Sequence, residues 1–236
     1  MTVKISNQIL KDKGILVDEK YPYDQIKRVT NEGRRHYATP DGRQVPSVTT
    51  ILSATKDMTH LMAWRKRIGE QEAQRIATES ANIGTVMHRS LEKHVKGEDR
   101  KPGSNLVQKK GYEMANVIIE HGLKDVNEVW GSEVNLYYPE LYAGTTDLVG
   151  VCHGAPAIMD FKQARKLKKK EWVDDYFLQL VAYAEAHNKL FGTEIRTGRI
   201  FICTQNHEYQ TFEIDDCDKW SDRWYRRVEQ YYKSVL

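Results

Sequence analysis

The chain has 236 residues, 40% hydrophobic and 10% aromatic, which suits one soluble core with at most a small appendage. No apolar run approaches the roughly 18 residues that cross a bilayer, so a membrane protein is not expected. Net charge is only +3, yet basic residues bunch in WRKR at 64–67 and RKLKKK at 165–170, a pattern that suits a phosphate-bearing partner as readily as a solvated helix face.

The start, MTVKISNQILKDKG, scatters charges through its apolar residues and does not read as a secretory signal. Cys152, Cys203 and Cys217 lie far apart without CxxC spacing, consistent with reduced thiols in a cytoplasmic protein. Residues 1–52 read as an N-terminal arm, in which RRHYATPDGRQVPSVTTIL forms a hairpin turning at Pro40-Asp41-Gly42. The main domain follows from 53 to 236. THLMAWRKRIGEQEAQRIATES predicts one helix through Leu61, Trp64, Ile68 and Ile76, with a basic outer face. ANIGTVMHRSLEKHVKGED predicts a second, burying Val86, Leu91 and Val95 and stopping at Gly97. Residues 104–121 predict a third through Leu106, Met114, Val117 and Ile118.

From Val129 the period changes to two: Val134, Leu136 and Tyr138 alternate with Glu133, Asn135 and Tyr137. A strand over about 142–152, a turn at HGAP and a strand AIMDFK complete a meander. A long helix over 170–191, a strand pair and a last helix close the chain. Short turns force the first three strands antiparallel, so the fold class is α/β with a mixed sheet between helices, not a doubly wound parallel sheet.

Within AIMDFK, Ile158, Asp160 and Lys162 share one strand face. If Asp147 of the neighbouring strand points the same way, two carboxylates converge and oppose each other's ionisation unless a cation sits between them. Mg²⁺ resolves that conflict, taking few protein carboxylates and borrowing substrate phosphate oxygens. Lys162 then stabilises developing negative charge, which completes the parts for phosphodiester hydrolysis. His88 and Glu92, four apart on the second helix, can add a ligand or orient a water. Gln179 and Tyr183, also four apart, place an amide and a phenol on one helix face. Glu133 either joins the acidic centre or faces water.

GTVMHRSLE, Glu133, GTTD, MDFK and QLVAY, in this order and spacing, resemble the PD-(D/E)XK nuclease superfamily, in particular the RecB-like branch of mitochondrial genome maintenance exonuclease and related phage exonucleases. VPSVTTIL at 45–52 extends the likeness to roughly residues 45–232. The resemblance implies a restriction-endonuclease-like core over 82–96 and 129–236, with a helical arch over 59–122 inserted before the strands. It implies Mg²⁺ or Mn²⁺ bound by Asp147, Asp160 and the Phe161 carbonyl, with His88 nearby and Glu133 beside them. Lys162 becomes the catalytic lysine, Glu92 the acidic residue of the first core helix, and Gln179 and Tyr183 the QxxxY motif. Gln163 departs from relatives that carry Thr there. Three dispersed cysteines do not match the iron–sulfur cluster of some relatives, so none is expected.

The implied activity is a metal-dependent DNA exonuclease of replication, recombination or repair that prefers single-stranded ends. Arg165, Lys166, Lys168, Lys169 and Lys170 would hold the backbone without sequence preference, and Trp64, Tyr112, Trp172 and Tyr176 offer stacking faces. No GxxxxGK[ST] motor motif is visible, so any helicase, polymerase or single-strand-binding protein would be a separate partner. A structure- or site-specific endonuclease and a non-catalytic recombination accessory protein are the competing readings.

Overall fold

The computed structural model describes residues 16–17 and 20–235; the stretch read for a secretory signal lies outside them. Strand β1 (Leu16–Val17) is followed by a small antiparallel sheet of β2 (Lys27–Asn31), β3 (Arg34–Ala38) and β4 (Gln44–Pro46). The expected hairpin is the β3–β4 pair, turning at Gly42 with φ +82°. It gains a third strand, and VTTIL is helical instead of extended. Ser47 explains this: its Oγ accepts the Thr50 N–H at 3.0 Å and caps helix α1 (Val48–Ala54). This helix crosses the arm boundary expected at residue 52 and buries Val48, Ile51 and Leu52 in the main core.

Helix α2 (Thr59–Ile68) ends at Gly69, whose φ of +89° and ψ of 147° also start α3 (Glu70–Val95). The helix break expected near residue 80 is therefore moved to Gly69. Gly69 is the residue that tolerates the left-handed conformation, whereas Ala81 and Asn82 carry nothing that stops a helix. α3 stops before Gly97, at φ +67°, as its sequence suggests. α4 (Leu106–His121) begins with a capping box between Asn105 and Gln108. Leu106 is 84% exposed and forms no part of the core, while Met114 and Ile118 are buried.

The main sheet runs in the order β1, β5 (Val126–Tyr138), β6 (Tyr142–Cys152), β7 (Ala155–Ala164), β8 (Thr197–Thr204) and β9 (Tyr209–Ile214). β5, β6 and β7 form the expected meander, and β8 joins β7 in parallel. Helix α5 (Asp174–Phe191) makes that crossover; the helix expected from residue 170 starts at Asp174, after a short 3₁₀ turn at Lys170–Trp172. Helix α6 (Asp218–Val235) closes the chain.

Two cores flank the sheet. Leu178 and Val181 of α5, Ile51 of α1 and Trp224 of α6 pack on one face. Met87 and Leu91 of α3, with Met114 and Ile118 of α4, pack on the other. α4 is thus a core layer, not part of an arch. α2 buries no residue, and Leu61 and Met62 stand 37% and 64% exposed, so the element that stands off the core is α2 with the start of α3. Among the described residues, no helix is long and apolar enough to cross a membrane. Cys152, Cys203 and Cys217 are free and buried.

Candidate active site

The β6–β7 ladder runs from the Cys152–Ala155 pair to the Leu148–Met159 pair and then opens. Beyond it, Asp147 Oδ2 accepts the Phe161 N–H at 2.7 Å, taking the place of a ladder carbonyl. A strand residue directs its N–H and C=O toward the same neighbour, so the Phe161 carbonyl faces this gap as well. On β5, Glu133 lies opposite Asp147, between the Ser132–Leu148 and Val134–Thr146 pairs. Its φ is +54°, a left-handed conformation that costs an L-residue roughly 1–2 kcal/mol. Side-chain alternation in β6 changes parity at the same level: Tyr142 and Gly144 face α5, and so do Val149 and Val151.

This irregularity turns Glu133 and Asp147 toward α3, where His88 Nδ1 meets Asp147 Oδ1 at 3.2 Å. One ligand atom from each of His88, Glu133 and Asp147 lies within 4.8 Å of the others. Asp160 is 2% exposed and is engaged from the α5 side. Its Oδ1 accepts from Gln179 Nε2 at 3.2 Å, and its Oδ2 pairs closely with the Lys162 ammonium. Lys162 also donates to Gln179 Oε1 at 3.0 Å and lies 5.2 Å from the centre of the Tyr176 ring. Gly144, in GTTD, is where the Tyr183 ring packs on β6: a Cβ there would stand 2.6 Å from the phenol oxygen.

Burial opposes charge on His88, but the charge and hydrogen bond of Asp147 override it and push the imidazole up to about 9. Burial likewise works against the Asp147 carboxylate, yet His88 and Lys162 hold it below the usual carboxylate range. Glu133 is pushed up to about 7 by burial and then by the Asp147 charge. Asp160 rises to about 6 for the same two reasons, with Lys162 pulling the other way. Burial disfavours the Lys162 ammonium, but Asp160 and Asp147 more than compensate, so it stays charged. An ionised Asp147 beside an imidazole, with the ionisation of Glu133 and Asp160 opposed by burial and by the Asp147 charge, fits a hard divalent cation, which would relieve that repulsion.

These groups line a cleft of about 540 Å³ that also takes in Glu92, Gln179 and Tyr183. Glu92 accepts from Lys96 at 2.5 Å at its edge. The structure brings the expected residues to one cleft: His88, Glu133 and Asp147 are the compact group that could hold a metal ion, while Asp160 is held by Lys162 and Gln179. A neighbouring groove of about 810 Å³ is lined by Arg165, Lys166, Lys168, Trp172, Tyr176 and, from α2, Trp64. Lys169 instead lies 5.4 Å from the Trp172 ring centre, Lys170 opens the 3₁₀ turn without lining the groove, and Tyr112 is covered by Arg100 at 5.1 Å. Sequence reading missed Arg35, Thr49 and Arg89, which line the cleft.

No protein-family model and no curated protein matches the chain. Among solved structures it is similar to a protein from Eubacterium rectale named "Putative exonuclease", with a TM-score of 0.51 and 16% identity over 67% of this chain. This chain spans 66% of that protein's length. At this identity the likeness establishes a shared fold.

Two expectations follow from the geometry. In the metal-free protein His88 should titrate near 9 by NMR, and Asp147→Asn should drop it below the ordinary value of 6.5, because burial and the Lys162 charge then act against only the weaker pull of Asp160. A folded-state value above the unfolded one stabilises the fold fully below about 6.5 and loses that contribution as pH rises through about 9. A wild-type titration at or below 6.5 would contradict the pairing. Separately, Glu133→Gly should raise unfolding stability by about 1 kcal/mol by relieving the left-handed strain while weakening Mn²⁺ binding; urea unfolding and calorimetric titration read the two effects.

Proposed function

We propose that the protein is a metal-dependent deoxyribonuclease that degrades single-stranded DNA from an end. The observation that carries this reading is the half-buried Lys162 ammonium, held by Asp160 and Gln179 and opening on the same cleft as Asp147, Glu133 and His88. A structural ion pair has no need of a second acidic cluster beside it, whereas phosphodiester hydrolysis needs both cationic stabilisation and a ligand set for a metal. The fold shared with a protein named as an exonuclease supports the same reading.

His88, Glu133 and Asp147 would hold Mg²⁺ or Mn²⁺, with Asp160 and the Phe161 carbonyl beside them. When bound, the ion supplies Lewis-acid polarisation of the phosphate and a lowered pKa for water. Lys162 donates its N–H groups to the charge that develops on the phosphate oxygens. Gln179 fixes Lys162 by accepting from it while donating to Asp160, so the ammonium needs no reorganisation during the reaction. Tyr183 and Gly144 lock α5 against β6 and so fix the height of Gln179.

The groove beside the cleft supports a single-stranded substrate. Arg165, Lys166 and Lys168 offer charge to a backbone, and Trp64, Trp172 and Tyr176 offer faces to unpaired bases. α2 stands across from the β7–α5 connection, which suits threading of a free end. Helicase, polymerase and single-strand-binding partners belong to the same proposal through the pathway such an enzyme would serve.

Digestion of end-labelled linear and closed circular single strands with Mg²⁺ or Mn²⁺ tests the reading. Loss of linear DNA only is expected, with Lys162→Ala and Asp160→Ala each lowering the rate by at least about 100-fold. Cleavage of circles at an equal rate would instead favour an endonuclease, and tight binding without cleavage an accessory protein.

A further inference from the structure

Arg35 and Arg89 line the acidic cleft, both are exposed, and among the described residues neither guanidinium has a hydrogen-bond or ion-pair partner. Unpaired cations at the mouth of an acidic cleft are unusual, because the carboxylates within would be expected to draw them in. Here three of the four acids of the cleft are already engaged, Asp147 by His88 and Phe161, Glu92 by Lys96, and Asp160 by Lys162 and Gln179, and the fourth, Glu133, clusters with His88 and Asp147.

Arg35 is also held firmly at its base. Its carbonyl accepts from the Ser47 N–H and the Thr50 hydroxyl, both at 2.9 Å. Two residues on, Tyr37 is 4% exposed and its hydroxyl meets Thr145 Oγ1 at 3.3 Å, two residues before Asp147. The small sheet therefore delivers Arg35 to the cleft on a fixed mount. Arg89 follows His88 directly on α3, so its base is fixed by the same helix that carries the imidazole.

The two cavities adjoin. Ser80 lines the basic groove and Ala81 the cleft; Gln163 lines the groove and Lys162 the cleft. Between them Gly84 presents no side chain, and a Cβ there would lie 3.4 Å from Gln163 Cγ. Arg89 lies nine residues beyond Ser80 on one helix, a rise of about 13 Å. Neither arginine lines the groove, so their charge serves the other end of the path.

We propose that Arg35 and Arg89 form a phosphate clamp across the cleft from the basic groove, holding the strand backbone on the second side of the acidic centre. The inference rests on the nuclease reading and extends it: the small N-terminal sheet is part of the substrate site, and one strand is gripped on both sides of the centre. Guanidinium forks suit phosphate oxygens in a way that leaves base identity unread.

Fluorescence anisotropy of a labelled single strand, in chelator and over a series of salt concentrations, tests the clamp. Each phosphate contact on a single strand contributes about −0.7 to the slope of log K against log salt. Arg35→Gln and Arg89→Gln should each flatten the slope by about 0.7, and the double variant by about 1.4, equally for strands of different base composition. Arg35→Lys and Arg89→Lys should restore the slope, and Mn²⁺ affinity should be unchanged throughout. A double Gln variant with the wild-type slope, in a protein that binds and cleaves single strands, overturns the clamp alone. Slopes that the Lys variants do not restore, with Mn²⁺ affinity also lost, overturn it in favour of a structural role. A wild-type protein that neither binds nor cleaves single strands overturns the nuclease reading and the clamp together.

Discussion

The carboxylate of Asp147 closes the ladder where β6 and β7 part, and the rest of the cleft depends on that bond. An open strand end inside a sheet leaves backbone groups without partners, which is costly in a buried setting. Asp147 meets one of these demands at the Phe161 N–H and spends its other oxygen on His88. The gap so formed admits groups from both sides of the sheet, His88 from α3 and, on the α5 side, Lys162 of β7 paired with Gln179 of α5.

Charge inside the cleft is organised in two internal pairs, Asp147 with His88 and Asp160 with Lys162. Such pairs seldom add much net stability, because desolvation offsets the Coulomb gain. Their use here is to hold the site in shape before any ligand arrives. Glu133 sits outside both pairs, which is why burial and the Asp147 charge move it so far from its ordinary value. Its left-handed backbone adds strain at the same point, and strain of this kind persists where the surrounding structure over-determines it.

The centre was legible because strand parity is a local property. Ile158 faces the α5 core while Met159 and Phe161 face the α3 core, which puts Asp160 and Lys162 together as their spacing implies. Glu133 was less legible: alternation assigns it a face, but the positive φ that aims it is a property of the paired strands, not of its neighbours in sequence. Gly69 carried a readable signal in its missing Cβ alone, yet a continuous run of helix formers on both sides masked it. Arg35 carried no local signal. It sits more than a hundred residues before Asp147, and only docking of the small sheet through Tyr37 and Ser47 brings it to the cleft. RKLKKK was legible as charge but not as direction, since Arg165, Lys166 and Lys168 line the groove while Lys169 turns to Trp172.

On the proposed reading, the irregularity shared by β5 and β6 builds a cation site from His88, Glu133 and Asp147. Titration of Mn²⁺ followed by electron paramagnetic resonance measures this without reference to any substrate. Wild-type protein should bind the ion, Asp147→Asn should abolish that binding, and Arg35→Gln should leave it unchanged. Equal Mn²⁺ binding by wild type and Asp147→Asn, or no binding by either, would contradict that reading.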